Sequence, residues 1–329
     1  MKSKTILGTS KNPSRHAELV SESTRYQGIA EQVRNDDCVK SVVFRSPLFS
    51  ILALLIIITI GCLSGCGRKT ADNSLFKDAK TVRIMDHIPY REGHEKWMLD
   101  VAMPENFGDE IRPVMLLVHG GGWRGGSKQE RVFRNMLLEF VFQGYVVIST
   151  DYRLNQDAAF PACIEDVKCA VRWIKAHAGE LKIDPERIGT YGHSAGAHLA
   201  LMLAVSSENK ALEGDGPWQE FSSSVACVAG GATPTEIGNP NNPWSEHPEW
   251  WPIGYISANH PPILLLQGDD DPIVKEPLVT DYYDKMKAAG ATIEYIRVPG
   301  LGHDVSYTLA LNITRPAMND FFAKHLNNK

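Results

Sequence analysis

A pentapeptide near the middle of the chain has residue types and spacing that suit nucleophilic chemistry. Residues 192–196 read GHSAG. This GxSxG pattern is typical of a sharp turn between a strand and a helix, which lifts the serine hydroxyl clear of a sheet, and both glycines are needed because strand and helix pack closely there. We therefore predict that Ser194 is a nucleophile. The alternative is a structural serine in a tight turn.

A glycine run earlier in the chain could stabilise a developing negative charge. His119–Trp123 reads HGGGW, and successive glycines let backbone N–H groups approach a bound oxygen without hindrance from side chains. We expect the amides of Gly121 and Gly122 to form an oxyanion hole together with that of Ala195. A flexible glycine turn is the alternative, and a phosphate loop is disfavoured because no Lys-Ser/Thr pair closes the run. His119 itself is expected to brace this loop by hydrogen bonds.

A general base and an acid that orients it are expected late in the chain. His303 lies in a glycine-lined stretch that reads GLGHD, and the stretch GDDDPIV lies between it and the serine. A histidine in such a loop could take the serine proton, and a carboxylate could fix its tautomer. Spacing alone does not choose among Asp269, Asp270 and Asp271.

Other histidines and the cysteines are expected to be structural. His198 would lie one helical turn beyond Ser194, where it is too constrained to shuttle a proton, and His193 would point into packing. No histidine pair has the HExxH spacing of a metalloenzyme, so the sequence implies no metal and no other cofactor. Three cysteines follow residue 66, and their odd number predicts buried free thiols: Cys163, Cys169 and Cys227.

Short apolar runs bounded by glycine or proline alternate with helical patterns and must position these residues. The predicted strands are Val114–Val118, Tyr145–Ser149, Arg187–Tyr191, Val225–Ala229, Pro262–Leu266 and Thr292–Val298. The predicted helices are Lys128–Gln143, Ala162–Ala178, Ala195–Val205, Glu276–Ala289 and a stretch from Val305 to His325 that Pro316 breaks or starts. Because several strands are apolar throughout, the pattern predicts an α/β fold with a mostly parallel, doubly wound sheet. Residues 79–103 are expected to add antiparallel strands at one edge.

These motifs together resemble a known family. The chain from Lys96 to His325 is similar to α/β-hydrolases of the carboxylesterase and feruloyl-esterase-like type, close to the hormone-sensitive-lipase group. The order serine, acid, histidine is also that of the α/β-hydrolases. The matching stretches are His119–Trp123, 125–128, 151–154, Phe160-Pro161, Asp166 with 170–173, 183–188, 192–199 and 268–274. The acid of this family falls at the GxxDxxV position, so the resemblance implies that Asp271 is the acid.

The resemblance implies an α/β-hydrolase fold without a large cap domain, and a serine esterase that works through an acyl-enzyme. Acetyl or feruloyl esters of carbohydrates, or small esters, are the expected substrates. The predicted substrate pocket includes four tryptophans, although they could instead pin a loop: Trp123, Trp244, Trp250 and Trp251. An arylformamidase-like enzyme, a peptidase of the same fold and a non-catalytic binding protein are the alternatives.

An apolar run precedes all of these motifs. Leu48–Ile60 comprises thirteen residues, which is short for a membrane span of about 20 but suits the core of a secretory signal. Leu63-Ser-Gly-Cys66 then resembles the bacterial lipobox, whose cysteine is acylated. We expect lipidation of Cys66 and a lipid anchor in a bacterial cell envelope, on the periplasmic or outer-membrane face; secretion is the alternative. The sequence leaves the oligomeric state open.

Length and charge agree with a single catalytic domain. The 329 residues carry a formal net charge of −5, and after the predicted leader 26 Lys and Arg face 34 Asp and Glu. Without a basic excess to neutralise phosphates, nucleic acid is not an expected partner. We expect a leader at 1–65, a linker at 66–80 and the hydrolase domain at 81–329. Translation could begin near Val42 or Val43, in which case residues 1–41 are not translated.

Overall fold

The strands form one eight-stranded sheet in the computed structural model, which describes residues 82–105, 108–237, 243–305 and 311–327. In chain order they are β1 Val82–Pro89, β2 Met98–Pro104, β3 Arg112–Val118, β4 Val146–Thr150, β5 Ile183–His193, β6 Cys227–Gly231, β7 Ile263–Gly268 and β8 Ile293–Val298. The spatial order is β1-β2-β4-β3-β5-β6-β7-β8. The strands β3 to β8 pair in parallel, whereas β2 pairs antiparallel with both β1 and β4.

Helices cover both faces of this sheet. They are α1 Arg131–Phe142, α2 Ala162–Ala176, a single turn α3 Ala178–Leu181, α4 Ala195–Val205, α5 Glu276–Ala288 and α6 Leu311–Phe322. Apolar side chains of α2, α4 and α5 share one core with the sheet, and those of α1 and α6 share a second core on the opposite face. Every residue of β3, β4, β6 and β7 is buried. The predicted doubly wound architecture with antiparallel edge strands is therefore confirmed.

The prediction that Pro316 breaks or starts a helix is wrong, because this proline lies inside α6. Pro316 and Asn312 are both exposed, so the Asn312 carbonyl that loses its helical N–H partner is accessible to solvent. Buried side chains later in the helix, Met318, Phe321 and Phe322, hold α6 against the sheet. Packing therefore compensates for the missing hydrogen bond.

The carboxyl ends of the parallel strands bring the chemically interesting loops to one edge of the sheet. His119 follows β3, Ser194 follows β5, the acidic loop follows β7 and the His303 loop follows β8. In open α/β sheets, ligands bind in the crevice outside these carboxyl ends. Separately, none of the helices in the described ranges has the length and apolar character of a membrane span.

Candidate active site

Three side chains predicted to act together are hydrogen-bonded in series. His303 Nε2 lies 3.0 Å from Ser194 Oγ, and His303 Nδ1 lies 2.8 Å from Asp271 Oδ2. The serine and the histidine are partly exposed, whereas Asp271 is buried. The structure thus selects Asp271 from the three consecutive aspartates, with a geometry in which the histidine can accept the serine proton.

The turn at Ser194 holds its backbone in an uncommon conformation. Ser194 has φ 55° and ψ −123°, and its N–H donates to Gly231 O at 2.8 Å. A Cβ on Gly192 would overlap the Gly196 carbonyl, and one on Gly196 would overlap the carbonyls of Val118 and His119. Both glycines are therefore required for strand and helix to approach, as the sequence predicted, and the turn aims Oγ at the His303 loop.

Asp271 is held as a carboxylate by a dense set of donors. Its Oδ1 accepts the amides of Ile273 at 2.8 Å and Val274 at 3.0 Å. Burial raises the pKa of Asp271, but the His303 hydrogen bond and these two amides outweigh it and leave the pKa below its usual value. Gln267, a buried residue of β7, also donates Nε2 to Asp271 Oδ2 at 3.1 Å. Sequence reasoning missed Gln267, since a single glutamine in an apolar strand carries no motif.

Neighbouring residues fix the backbone of the His303 loop. His193 Nε2 donates to the His303 carbonyl at 2.9 Å, and Asp269 Oδ1 accepts the Gly300 amide at 2.6 Å. Asp270 is exposed. His193 is buried, and burial lowers its pKa to about 4. The predicted packing of His193 is confirmed, but the sequence did not predict its hydrogen bond to the backbone carbonyl of His303.

The predicted oxyanion loop lies against the nucleophile. A Cβ on Gly120 would come 3.5 Å from Ser194 Cβ and 2.8 Å from the His193 carbonyl. Gly121 and Gly122 have φ of 112° and 61°, a region that glycine enters without steric cost. In the described ranges no protein acceptor is paired with the amides of Gly121, Gly122 or Ala195. These N–H groups are therefore available to a bound oxygen.

Buried polar groups brace this loop from behind. His119 Nδ1 donates to the Gly120 carbonyl at 2.8 Å, and the Tyr152 hydroxyl donates to the His119 carbonyl at 2.8 Å. His119 Nε2 lies 3.4 Å from Asp151 Oδ1, which also accepts the Lys128 amide at 2.7 Å. Lys128 Nζ in turn pairs with buried Asp100 at 2.8 Å. The predicted bracing role of His119 is confirmed.

Four tryptophans beside the loop pack on one another and form what we term the aromatic wall: Trp123, Trp244, Trp250 and Trp251. Trp123 meets Trp244 and Trp251 at centroid distances of 5.5 and 5.9 Å, with interplanar angles of 73° and 90°. Trp251 is buried, and the other three are partly buried. Trp251 also donates Nε1 to the Trp244 carbonyl at 3.1 Å. The packing and this hydrogen bond fix residues 243–254, which is one of the two predicted roles; the role of these tryptophans in a substrate pocket stays a prediction.

The remaining predicted residues fall into two groups. Cys163, Cys169 and Cys227 are buried and free, as predicted. Cys66 lies outside the described residues, and so do the apolar run and residues 66–80. Among the described residues, no three His, Cys, Asp or Glu side chains come together as metal ligands.

Known proteins with similar sequences or structures include several esterases. Residues 99–250 match the model of the BD-FAE family. The chain is 28% identical over 258 residues to Esterase LipQ of Mycobacterium tuberculosis, which covers 71% of this chain and 61% of LipQ. The chain thus spans about three fifths of the length of that curated relative.

Two solved structures are similar over most of the described chain. A truncated carbohydrate esterase from gut microbiota has a TM-score of 0.67 at 24% identity and covers 75% of this chain and 97% of its own. A bifunctional GH43-CE protein of Bacteroides eggerthii has a TM-score of 0.65 at 30% identity and covers 74% of this chain and 38% of its own.

Proposed function

We propose that the protein, which has the α/β-hydrolase fold and whose residues 99–250 match the BD-FAE family model, is a serine esterase that cleaves carboxylic esters. The observation that carries the proposal is the hydrogen-bonded series Ser194–His303–Asp271, with distances of 3.0 and 2.8 Å. A non-catalytic relative would be expected to lack one of these groups or to hold them apart.

The first half of the reaction forms an acyl-enzyme. Ser194 Oγ attacks the ester carbonyl carbon while His303 Nε2 takes the hydroxyl proton, and the Asp271 carboxylate stabilises the resulting imidazolium. The carbonyl oxygen gains negative charge and receives hydrogen bonds from the amides of Gly121, Gly122 and Ala195. One donor of this kind contributes about 3 kcal/mol to the stability of the transition state. The tetrahedral intermediate then collapses, and His303 protonates the departing alcohol.

The second half regenerates the enzyme. Water attacks the acyl carbonyl carbon while His303 again accepts a proton, and the same amides hold the oxyanion. Collapse breaks the bond to Ser194 Oγ, which takes its proton back from His303 as the carboxylic acid leaves. Burial of Asp271 and its three N–H donors keep the imidazole in one orientation throughout both halves.

The proposed substrates are acetyl or feruloyl esters of carbohydrates, or small esters. Similarity to a carbohydrate esterase from gut microbiota and to a bifunctional GH43-CE protein supports carbohydrate esters. The aromatic wall supports the same choice, since indole rings suit the apolar faces of sugars and aromatic acids.

The chain is further proposed to be anchored in a bacterial cell envelope by lipid at Cys66. The support is the apolar run Leu48–Ile60 followed by Leu63-Ser-Gly-Cys66. Expression of the full chain with labelled palmitate, followed by membrane fractionation, tests this anchor. Wild type should carry label in the membrane fraction and Cys66→Ala should not; equal labelling of both would overturn the assignment.

The activity is tested with the pair Ser194→Ala and Ser222→Ala on p-nitrophenyl acetate, acetylxylan, methyl ferulate and N-formylkynurenine. Ser222 is an exposed serine remote from the triad and serves as the matched control. We expect Ser194→Ala to lose hydrolysis of every ester that wild type cleaves, and Ser222→Ala to retain it. Equal ester turnover by both variants would refute the proposal, and turnover of the formamide alone would point to an arylformamidase.

A further inference from the structure

His198 on α4 connects two segments that flank the nucleophile. It lies one helical turn beyond Ser194, its N–H donates to the Ser194 carbonyl at 3.0 Å, and its side chain is fully buried. Trp123 Nε1 donates to His198 Nδ1 at 3.3 Å, and His198 Nε2 donates to the Trp250 carbonyl at 2.8 Å. One imidazole thus joins the oxyanion loop to residues 243–254.

These partners determine the tautomer of His198. The Trp250 carbonyl can only accept, so Nε2 carries the proton; the Trp123 indole N–H can only donate, so Nδ1 carries none. Both ring nitrogens are satisfied in the neutral form alone. Burial also lowers the pKa of His198 to about 4, so the bridge stays intact across the neutral range.

The position of the aromatic wall relative to the triad indicates which part of an ester it meets. In the sheet, β5 with Ser194 lies between β3, which leads to Trp123, and the pair β7 and β8, which lead to Asp271 and His303. The departing alcohol must face His303, because that residue protonates it. The carbonyl oxygen points to the amides of Gly121 and Gly122, and the acyl chain extends away from His303 past the end of the oxyanion loop, where Trp123 follows Gly122.

The rings of the wall are packed on one another and on His198. Trp123 packs edge-to-face against Trp244, Trp251 and His198, with interplanar angles of 73°, 90° and 84°. Rings packed in this way form a rigid barrier. The barrier keeps its place through the His198 bridge, since Trp123 itself sits at φ 58° on a glycine-rich loop.

We propose that His198 is a positioning and specificity-determining residue: by holding Trp123 against residues 243–254, it fixes the aromatic wall and disfavours long alkyl acyl chains. This inference rests on the proposed esterase activity and adds acyl selectivity to it. It assigns His198 no role in proton transfer.

The test compares kcat/KM for p-nitrophenyl acetate, butyrate and octanoate in wild type, His198→Leu, His198→Asn and Trp123→Phe. Leucine removes both side-chain hydrogen bonds, asparagine retains an acceptor near the Nδ1 position, and phenylalanine removes the indole donor together with one of the two fused rings. We expect His198→Leu to raise the octanoate-to-acetate ratio of kcat/KM by about tenfold, chiefly through KM, as a misfit of one or more methylenes would. His198→Asn should restore part of the wild-type preference.

A double-mutant cycle tests whether His198 acts through Trp123. The double variant His198→Leu/Trp123→Phe should shift the ratio no further than His198→Leu alone, because both changes break the same link. His177→Leu is the control; His177 also stacks on a tryptophan and bonds a carbonyl, but at the end of α2.

The outcomes separate this inference from the proposed function. Absence of ester turnover in wild type would overturn the esterase assignment and this inference with it. An active wild type whose acyl preference is unchanged in folded His198→Leu would overturn the role of His198 alone. Should His198→Leu not fold, an unchanged preference in both His198→Asn and Trp123→Phe would overturn it equally.

Discussion

His193 donates a hydrogen bond from Nε2 to the backbone carbonyl of His303, at 2.9 Å. The residue that precedes the nucleophile therefore holds the main chain of the base, and their imidazole centroids lie 5.0 Å apart. This bond joins the last residue of β5 to the loop after β8 across two intervening strands. The His193 bond therefore helps to set the distance between Ser194 and His303, and it does so independently of the hydrogen bond between His303 Nε2 and Ser194 Oγ.

Removal of this link should lower kcat more than it changes KM. We expect His193→Leu to reduce kcat on p-nitrophenyl acetate by about 10- to 100-fold, because small misplacements of a reacting group are costly. His193→Gln retains an N–H donor and should recover part of the loss. Equal kcat in wild type and His193→Leu would show that the link does not position the base.

The three consecutive aspartates provide an internal control for the acid. Asp271→Asn should lower kcat by roughly 10³- to 10⁴-fold, since an amide favours the wrong tautomer of His303. Asp270→Asn should remain near wild type because Asp270 is exposed. Steady-state kinetics of the two purified variants measure the difference, and a comparable loss in both would exclude Asp271 as the orienting acid.

Two glycines with similar positive φ values allow the loss of oxyanion stabilisation to be distinguished from the effect of backbone strain. Gly122 has φ 61° and Gly108 has φ 65°, and a Cβ would meet no atom within 4 Å at either position. Alanine at either site should therefore reduce stability by a similar 1 to 2 kcal/mol or so. We expect only Gly122→Ala to lower kcat, because the strain turns the amide of residue 122 away from the oxyanion. Complete loss of one oxyanion-hole donor lowers kcat by about 10²- to 10³-fold. Matching activities for the two variants would argue against this loop as the oxyanion hole.

Acid should destabilise the fold through its two buried histidines. Burial lowers the pKa of both His193 and His198 to about 4, against about 6.5 in an unfolded chain. Between these values the unfolded state binds more protons, so the free energy of unfolding falls as pH drops from 6.5 to 4 and levels off below. The loss from pH 7 to pH 5 should be about 2 kcal/mol for each residue.

Urea unfolding at pH 7 and pH 5 measures this loss. The variant His193→Gln/His198→Gln should show a clearly smaller difference between the two pH values than wild type. An equal difference in both proteins would mean that other groups account for the acid sensitivity.

The triad could be predicted from sequence because each member sits in a local pattern at a strand end. GHSAG and HGGGW specify turns whose glycines have steric functions, as the overlaps at Gly192, Gly196 and Gly121 demonstrate, and GLGHD places Gly300 at a positive φ. The choice of Asp271 needed either a family resemblance or the structure, because three adjacent carboxylates look alike until the Ile273 and Val274 amides select one.

Contacts that form only in the folded chain account for what the sequence could not show. Gln267 and Asp271 meet through the bend after β7, and His193 and His303 lie 110 residues apart. The rule that proline breaks or starts a helix fails at Pro316, because buried side chains of α6 hold the helix against the sheet. In each case tertiary packing decides the outcome, and a single sequence does not record it.

The most direct test of the serine esterase assignment is intact-protein mass spectrometry after treatment with a fluorophosphonate, followed by peptide mapping. An activated serine displaces fluoride and keeps the phosphonyl group as a stable adduct. We predict one adduct per chain, located on Ser194, together with loss of p-nitrophenyl acetate hydrolysis in proportion to labelling. No adduct, or an adduct on another residue with hydrolysis lost, would contradict the assignment of Ser194 as the nucleophile.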